Sequence, residues 1–381
     1  MKNNILRLKD CYGCGVCVMA CPVKIISLEP NKSGFYSPVI HQNNKCIECG
    51  CCLDVCSFNH ENVSQSNILS DLKVFGGWSS DPITRARSTS AGVAYEISKY
   101  AISLGENVVA VKYDKENENA CHYVAKNMYD IELSQGTKYI PSFTQAAFTE
   151  IDRTKSYTVF GLPCQIDSFR RYIKRFKIEH NFKLVDLFCY GVPSTLLWHA
   201  YLEEKNVTVG DIESVKFRSK INGWHKSALL EISGTGGKTI EESSECNFYK
   251  IFFSNGCLNK CCYKSCKYKL LSSAADIRLG DFWGPKYRHD DLGVNLLITF
   301  SELGETIVNS LKECKIVLDE STVNEAVKGQ MSHNAPYNIF RPVVLSGLRN
   351  GISLKYLSYI SRFGRVISSP KNVFLSSTEN K

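Results

Sequence analysis

The stretches Cys11-Tyr-Gly-Cys14-Gly-Val-Cys17-Val-Met-Ala-Cys21-Pro22 and Cys46-Ile-Glu-Cys49-Gly-Cys51-Cys52-Leu-Asp-Val-Cys56-Ser57 repeat one spacing, 35 positions apart. Three thiolates two residues apart wrap three irons of a single cubane, and the fourth, three residues further on, serves the other cluster. The spacing therefore assigns Cys11, Cys14, Cys17 and Cys56 to one [4Fe–4S] cluster, and Cys46, Cys49, Cys52 and Cys21 to a second. Structural zinc is the competing account, but tetrahedral zinc seldom takes a third cysteine at this step. Cys51 falls outside the register, which Cys52 keeps, and counts as a bystander. The second run ends in Ser57 where the first has Pro22.

With 381 residues the chain exceeds one usual core, so two or three units are expected. No apolar run is long enough to span a bilayer. The start, Met1-Lys-Asn-Asn-Ile-Leu-Arg7, lacks the apolar stretch of a secretory leader. Eighteen cysteines without such a leader point to metal ligation in a reducing, cytoplasmic setting rather than to disulfides. The formal charge of +8 is moderate. No nucleic-acid motif accompanies it, which argues against nucleic acid as a partner.

Along the chain, residues 1–62 read as a bacterial-type dicluster ferredoxin fold, with short strands at Ile25–Leu28 and Tyr36–Ile40, and polar residues 63–72 as a linker. Residues 73–150, 151–320 and a helical tail, 321–381, follow. A helix begins after Ser88-Thr-Ser90-Ala-Gly92, carrying Val93, Ile97, Ala101 and Leu104 at helical spacing, and a buried strand follows at Asn107–Val111. Another helix is expected to begin near Ser142. Two strand–turn–helix units come next. Tyr157–Phe160 leads into Gly161-Leu-Pro-Cys164-Gln, and Lys183–Phe188 leads into Cys189-Tyr-Gly-Val-Pro-Ser194. Strands joined by a crossover helix run parallel, so Cys164 and Cys189 fall on one sheet edge, where open α/β sheets bind ligands. The fold class is therefore mixed, α+β with an α/β part, built on a partly parallel sheet behind the ferredoxin head.

A loop dense in cysteine, Cys257-Leu-Asn-Lys-Cys261-Cys262-Tyr-Lys-Ser-Cys266, supplies two further thiols for a third cluster with Cys164 and Cys189. Cys262 and Cys266 lie nearest the following strand and form the best pair; Cys261 and Cys257 are the alternates. Core packing of Cys164 and Cys189, or a zinc site within the loop, is the plainer account.

Four motifs in order, Gly136-Thr-Lys-Tyr139, Gly161-Leu-Pro-Cys164-Gln, Cys189-Tyr-Gly191 and Ala275-Asp-Ile…Gly280-Asp-Phe-Trp-Gly284, resemble the beta subunit family of coenzyme F420 hydrogenases and dehydrogenases, from about Val74 to about Leu318. The resemblance implies a flavin-binding mixed α/β domain and an oxidoreductase that carries FAD and one more [4Fe–4S] cluster. It places that cluster on Cys164, Cys189, Cys262 and Cys266. The family's later pair is usually Cys-x-x-Cys, whereas three residues separate Cys262 from Cys266 here. The resemblance also places FAD on Ser88, Ser90, Gly92, Gly136, Thr137, Lys138 and Tyr139. Amides and hydroxyls at a helix start can receive a pyrophosphate, and Lys138 can neutralise it; without the resemblance the same residues read as an ordinary helix cap.

The implied function is a relay between a two-electron carrier or small-molecule substrate, coenzyme F420 or another organic molecule, and one-electron centres. The fused head favours ferredoxin or another redox protein as partner. The alternative is a non-catalytic electron-transfer subunit of a larger redox complex. No acid/base pair stands out, so no catalytic residue is assigned. The basic helix with Arg170, Arg171, Lys174, Arg175 and Lys177 reads as a solvated face, or as a lure for an acidic partner. Trp78, Trp224 and Trp283 read as core or as flavin-stacking residues.

Overall fold

A computed structural model describes residues 3–64, 71–208, 210–313 and 315–368. In the head, β1 (Ile26–Pro30) and β2 (Tyr36–Ile40) form the expected pair of short strands, an antiparallel hairpin around the turn at residues 31–34. Each cysteine run turns into a short helix, Val16–Ala20 and Cys51–Asp54, capped by a glycine with positive φ, Gly15 and Gly50. A side chain at Gly15 would strike Thr144 Oγ1, so the bend also lets head and body approach closely.

The body is organised on one large sheet. Its first strands are β3 (Lys73–Ser79), β4 (Asn107–Asp114), β5 (Asn119–Ala125), β6 (Ser142–Phe143), β7 (Tyr157–Gly161) and β8 (Phe182–Leu187). A separate three-stranded sheet holds β9 (Ile212–Lys216), β10 (Leu229–Gly234) and β11 (Gly237–Glu242). The chain then returns to the large sheet as β12 (Ile277–Asp281), β13 (Asn295–Thr299) and β14 (Ile316–Ser321). The order is β14-β3-β13-β12-β8-β7-β4-β5-β6, nine strands among the described residues. β4, β7, β8 and β12 run parallel, and the flanks are mostly antiparallel. Residues 73–150 and 151–320 thus contribute strands to one sheet.

Both faces of the central strands are covered, so their sequences are continuous apolar runs. On one face Val108, Phe160, Val185 and Leu297 meet the helices Val93–Ser103 and Glu302–Lys312. On the other, Val109, Val159 and Leu184 meet Ile166, Phe169 and Ile173 of the helix Pro163–Arg175, and Val16, Ala20 and Val55 of the head join that same core. The head is therefore built into the body. Of the 63–72 linker, residues 65–70 lie outside the described residues; Ser64 N–H donates to Asp167 Oδ1 at 2.8 Å.

Several expectations change. Ser142 opens a two-residue strand, and the helix there is Gln145–Glu150. Leu104 is an exposed C-cap rather than a core position. Arg170, expected on a solvated face, is buried against Asp276 at 2.9 Å and Ala274 O at 3.0 Å. Arg171 pairs with Asp167, and Arg175 reaches Asp54 of the head. Lys174, Arg175 and Lys177 are exposed as expected, and Arg170 and Arg171 tie the helix to the rest of the molecule.

Candidate metal centres

Three sets of thiols converge. Cys11, Cys14, Cys17 and Cys56 lie close together: Cys17 is buried and then pushed up by Cys14, Cys11 and Cys56, Cys11 by Cys14 and Cys56, and Cys56 by Cys14. Cys21, Cys46, Cys49 and Cys52 wall a cavity whose other sides include Pro22, Ile26 and Ile40. Burial pushes Cys52 up to about 11, with Cys21 and Cys49 adding to it. Cys51 is absent from that wall and sits against the Arg175 side chain instead.

The third set forms on the edge that the parallel strands define. Gly161 of β7 pairs in register with Asp186 of β8, so Cys164 and Cys189, each three residues further on, leave the sheet side by side. Burial and then Cys189 raise Cys164, and Cys262 and Cys266 contribute as well. Burial lifts Cys189 to about 11, with Cys266 adding to it and the Lys269 ammonium opposing it. Of the alternates, Cys257 is fully buried under Arg341 with no other thiol raising it. Cys261 turns to the head, its Sγ 3.5 Å from Cys11 O. Cys262 and Cys266 thus both act on Cys164, and Cys266 on Cys189, despite the three-residue gap, while Cys261 acts on Cys262 and on Cys11.

Donor chemistry fits iron–sulfur clusters. Thiols held up by burial and by one another stay protonated unless a cationic centre takes their charge, and loading then releases protons. N–H groups aim at the sulfurs, as cluster ligands require: Gly13 N at 3.2 Å from Cys11 Sγ, Asn4 Nδ2 at 3.4 Å from Cys46 Sγ, Val192 N at 3.4 Å from Cys262 Sγ. Among the described residues no three His, Cys, Asp or Glu close on one ion's position.

The sets adjoin in series. Cys52 raises both Cys17 and Cys56, and Cys14 raises Cys164, so the first set lies between the second and the third. Tyr12 fills the space on the third side, its ring edge-on to Phe58 at 5.4 Å and Tyr268 at 5.8 Å. Ser168 is a residue that sequence reasoning missed. Its Oγ lies 3.3 Å from Cys14 Sγ, accepts Ser57 N–H at 3.0 Å and donates to Ser57 Oγ, which in turn donates to Cys164 O at 3.1 Å.

The charged residues of the Ala275–Gly284 motif brace this arrangement. Asp276 accepts from Arg170, Ser301 Oγ and Leu184 N–H. Arg278, fully buried, grips Asp186 through two bonds. Asp281 pairs with Arg218 and accepts Trp224 Nε1 at 3.0 Å. Trp224 and Trp283 stack on each other, 4.6 Å apart, and Trp78 lies under Arg85.

The segments expected to hold a flavin meet, Thr137 N–H donating to Thr89 Oγ1 at 2.8 Å. Their donors are spoken for, however. Asn295 Oδ1 accepts both Ala91 N–H and Val93 N–H, Ser90 Oγ donates to Val294 O, and Lys138 Nζ binds Ser134 O and Gln135 O of its own turn. Gly92 has φ +88, and the space beside it is filled by Thr84 and Ser79. Gly136 is open and Tyr139 is packed edge-on and tilted among Phe217, Tyr249 and Phe252. The amides of Ala91 and Val93 are thus satisfied from within the fold, while the position of Gly136 stays open.

Comparison with known families decides the relationship. Residues 154–324 match the family described as the C terminus of the coenzyme F420 hydrogenase/dehydrogenase beta subunit, and residues 10–60 match a 4Fe-4S dicluster domain. The chain is thus an iron–sulfur electron-transfer protein in which a dicluster domain precedes a beta-subunit region. No curated protein matches it. Among solved structures, a chain of the F420-reducing [NiFe] hydrogenase complex from Methanosarcina barkeri is similar, at 15% identity and a TM-score of 0.48, over 78% of this chain and 93% of its own. No described helix is long and apolar enough to cross a membrane.

Proposed function

We propose that the protein is an oxidoreductase subunit that conducts electrons through three [4Fe–4S] clusters in a line. One is held by Cys46, Cys49, Cys52 and Cys21, the next by Cys11, Cys14, Cys17 and Cys56, and the last by Cys164, Cys189, Cys262 and Cys266. When bound, such clusters take up and release single electrons at potentials set by burial and by hydrogen bonds to sulfur. The observation that carries the reading is the hydrogen-bonded bridge from Cys14 Sγ through Ser168 Oγ and Ser57 Oγ to Cys164 O, across the head–body seam. The chain's own part is to fix that seam and exclude water from it. Thr144 Oγ1 donates to Cys14 O at 3.1 Å, Asn259 Nδ2 donates to Cys11 O at 3.1 Å, and Lys267 Nζ donates to Ser57 O at 2.8 Å.

At the body end the partner is a two-electron carrier or organic substrate, where the family resemblance implies FAD; at the head end it is ferredoxin or another redox protein in the cytoplasm. Coenzyme F420 is one candidate substrate. The capping of Ala91 and Val93 amides by Asn295 favours a second reading, a conducting subunit whose flavin and substrate sit on another chain.

Anaerobic purification with iron counting and flavin extraction tests both. The relay predicts about twelve irons per chain, four for each cluster, and loss of about four in Cys164→Ser with the dicluster spectrum retained. A chain with only about eight irons, unchanged by Cys164→Ser, overturns the three-cluster relay. Extracted flavin supports the enzyme; its absence from a chain holding all its iron supports the conducting subunit.

A further inference from the structure

From Ala326 to Ser368 the chain contains no Asp or Glu, and it carries six cations: Lys328, Arg341, Arg349, Lys355, Arg362 and Arg365. The rest of the chain therefore accounts for only two of its +8 charges, 8 − 6 = 2. The same segment holds an unusual share of exposed apolar side chains. On the helix Leu354–Ile367, Tyr356 is 69% exposed, Tyr359 59%, Phe363 60% and Val366 58%. Steps of three and four residues place these on one stripe, with Ile367 continuing it and Lys355 and Arg362 along its border. Ile339, Val343 and Ile352, just before this helix, are exposed too.

That stripe is not a core face left uncovered. The opposite side of the helix is already seated: Leu354, Leu357, Ser358, Ser361 and Gly364 are buried. Asn338 Nδ2 donates to Ser361 O at 2.7 Å and to Ser254 O at 2.8 Å, and a side chain at Gly256 would strike Ser361. Small residues thus hold the helix tightly on its neighbour, and the outer stripe is presented rigidly to its surroundings. An exposed apolar patch of this kind marks an interaction site.

We infer that this face docks the protein on an anionic lipid bilayer, lying in the headgroup region without spanning it. The chemistry is that of an interfacial helix: tyrosine rings with one polar end, which suit the headgroup boundary, bordered by Lys355 and Arg362 on a segment that has no carboxylate of its own for anionic headgroups to repel. A second copy of the chain is a poor occupant, because a symmetric pairing would set two acid-free, cationic faces against each other. Membrane docking lies beyond the electron relay and does not rest on it.

The test is co-sedimentation of the full, iron-loaded chain with vesicles of phosphatidylcholine, with and without phosphatidylglycerol. Binding is expected only to the mixed vesicles, weakening as salt rises. Lys355→Glu with Arg362→Glu should weaken it by more than about fivefold per cation removed, since each charge is reversed as well as lost. Tyr356→Ser with Tyr359→Ser should weaken it at unchanged charge. All four side chains are exposed, so iron content and circular dichroism should match the parent and separate docking from folding. Three outcomes overturn the inference: no binding to either vesicle, equal binding to both, or a dimer or protein complex in solution that the two tyrosine replacements abolish while vesicle binding persists.

Discussion

Asp186→Ala should unfold the centre of the body. Asp186 and Arg278 are both 0% exposed and joined by two bonds, Nε to Oδ1 at 2.7 Å and Nη2 to Oδ2 at 2.6 Å. Ser273 Oγ supplies a third bond to the carboxylate at 2.7 Å. The guanidinium also gathers Leu270 O at 2.6 Å and Ser272 O at 2.9 Å, in the segment that follows Cys266. Removing the carboxylate leaves a buried cation with no counter-charge, a loss of about 3–5 kcal/mol, whereas a surface pair is worth about 0–1 kcal/mol. Because Asp186 stands three residues before Cys189, the damage should reach the third set of thiols first. The assay is urea unfolding under anaerobic conditions, with iron per chain measured in parallel. Asp186→Leu combined with Arg278→Met should recover much of the lost stability, because no unpaired charge then remains. A loss below about 1 kcal/mol in the single variant would refute the reasoning, since the pair would then behave as a solvated one.

Ser168→Ala leaves the buried Ser57 N–H without its acceptor and should cost about 1–3 kcal/mol in stability; an unchanged urea-unfolding free energy contradicts this. Burial pushes the His122 imidazole down to about 4, so the folded state favours its neutral form. Its contribution is fully present above the unfolded value of about 6.5 and is lost as pH falls through 4, up to about 3 kcal/mol at about 1.4 kcal/mol per unit. His122→Gln should flatten that acid limb relative to the parent, and an unchanged difference between pH 7 and pH 4 counts against it. Asn295→Ala strips the cap from the helix Val93–Ser103 and should cost about 0.5–2 kcal/mol in denaturant midpoint; no change would show that the cap is idle.

What could be read from sequence was whatever is encoded locally. Two cysteine runs fix their own wrapping, and the apolar strands β7 and β8 announce a parallel crossover that carries Cys164 and Cys189 to one edge. The helix Glu302–Lys312 carries its own start signal, Ser301, whose hydroxyl accepts Gly304 N–H at 3.1 Å. The strand β5 was invisible because Asn119-Ala-Cys-His-Tyr-Val-Ala125 mixes polar and apolar residues without a clean period, and its burial of His122 is decided by Ser142 and Phe148 elsewhere. The helix start after Gly92 looked open because its cap comes from Asn295, about two hundred positions away. Such long-range satisfaction leaves no mark at the site it satisfies.

Ser57 shows how a local departure can report a distant contact. The first run closes with Pro22, a residue that has no N–H to give. The second closes with Ser57, which is fully buried and uses both its donors: N–H to Ser168 Oγ at 3.0 Å, and Oγ to Cys164 O at 3.1 Å. Proline there would lose both bonds and leave Ser168 with fewer partners beside Cys14. The break in the repeat therefore falls where the head must be fastened to the body, between Cys14 of one set and Cys164 of another. Had the two parts been merely tethered by a linker, nothing would have demanded a donor at that position.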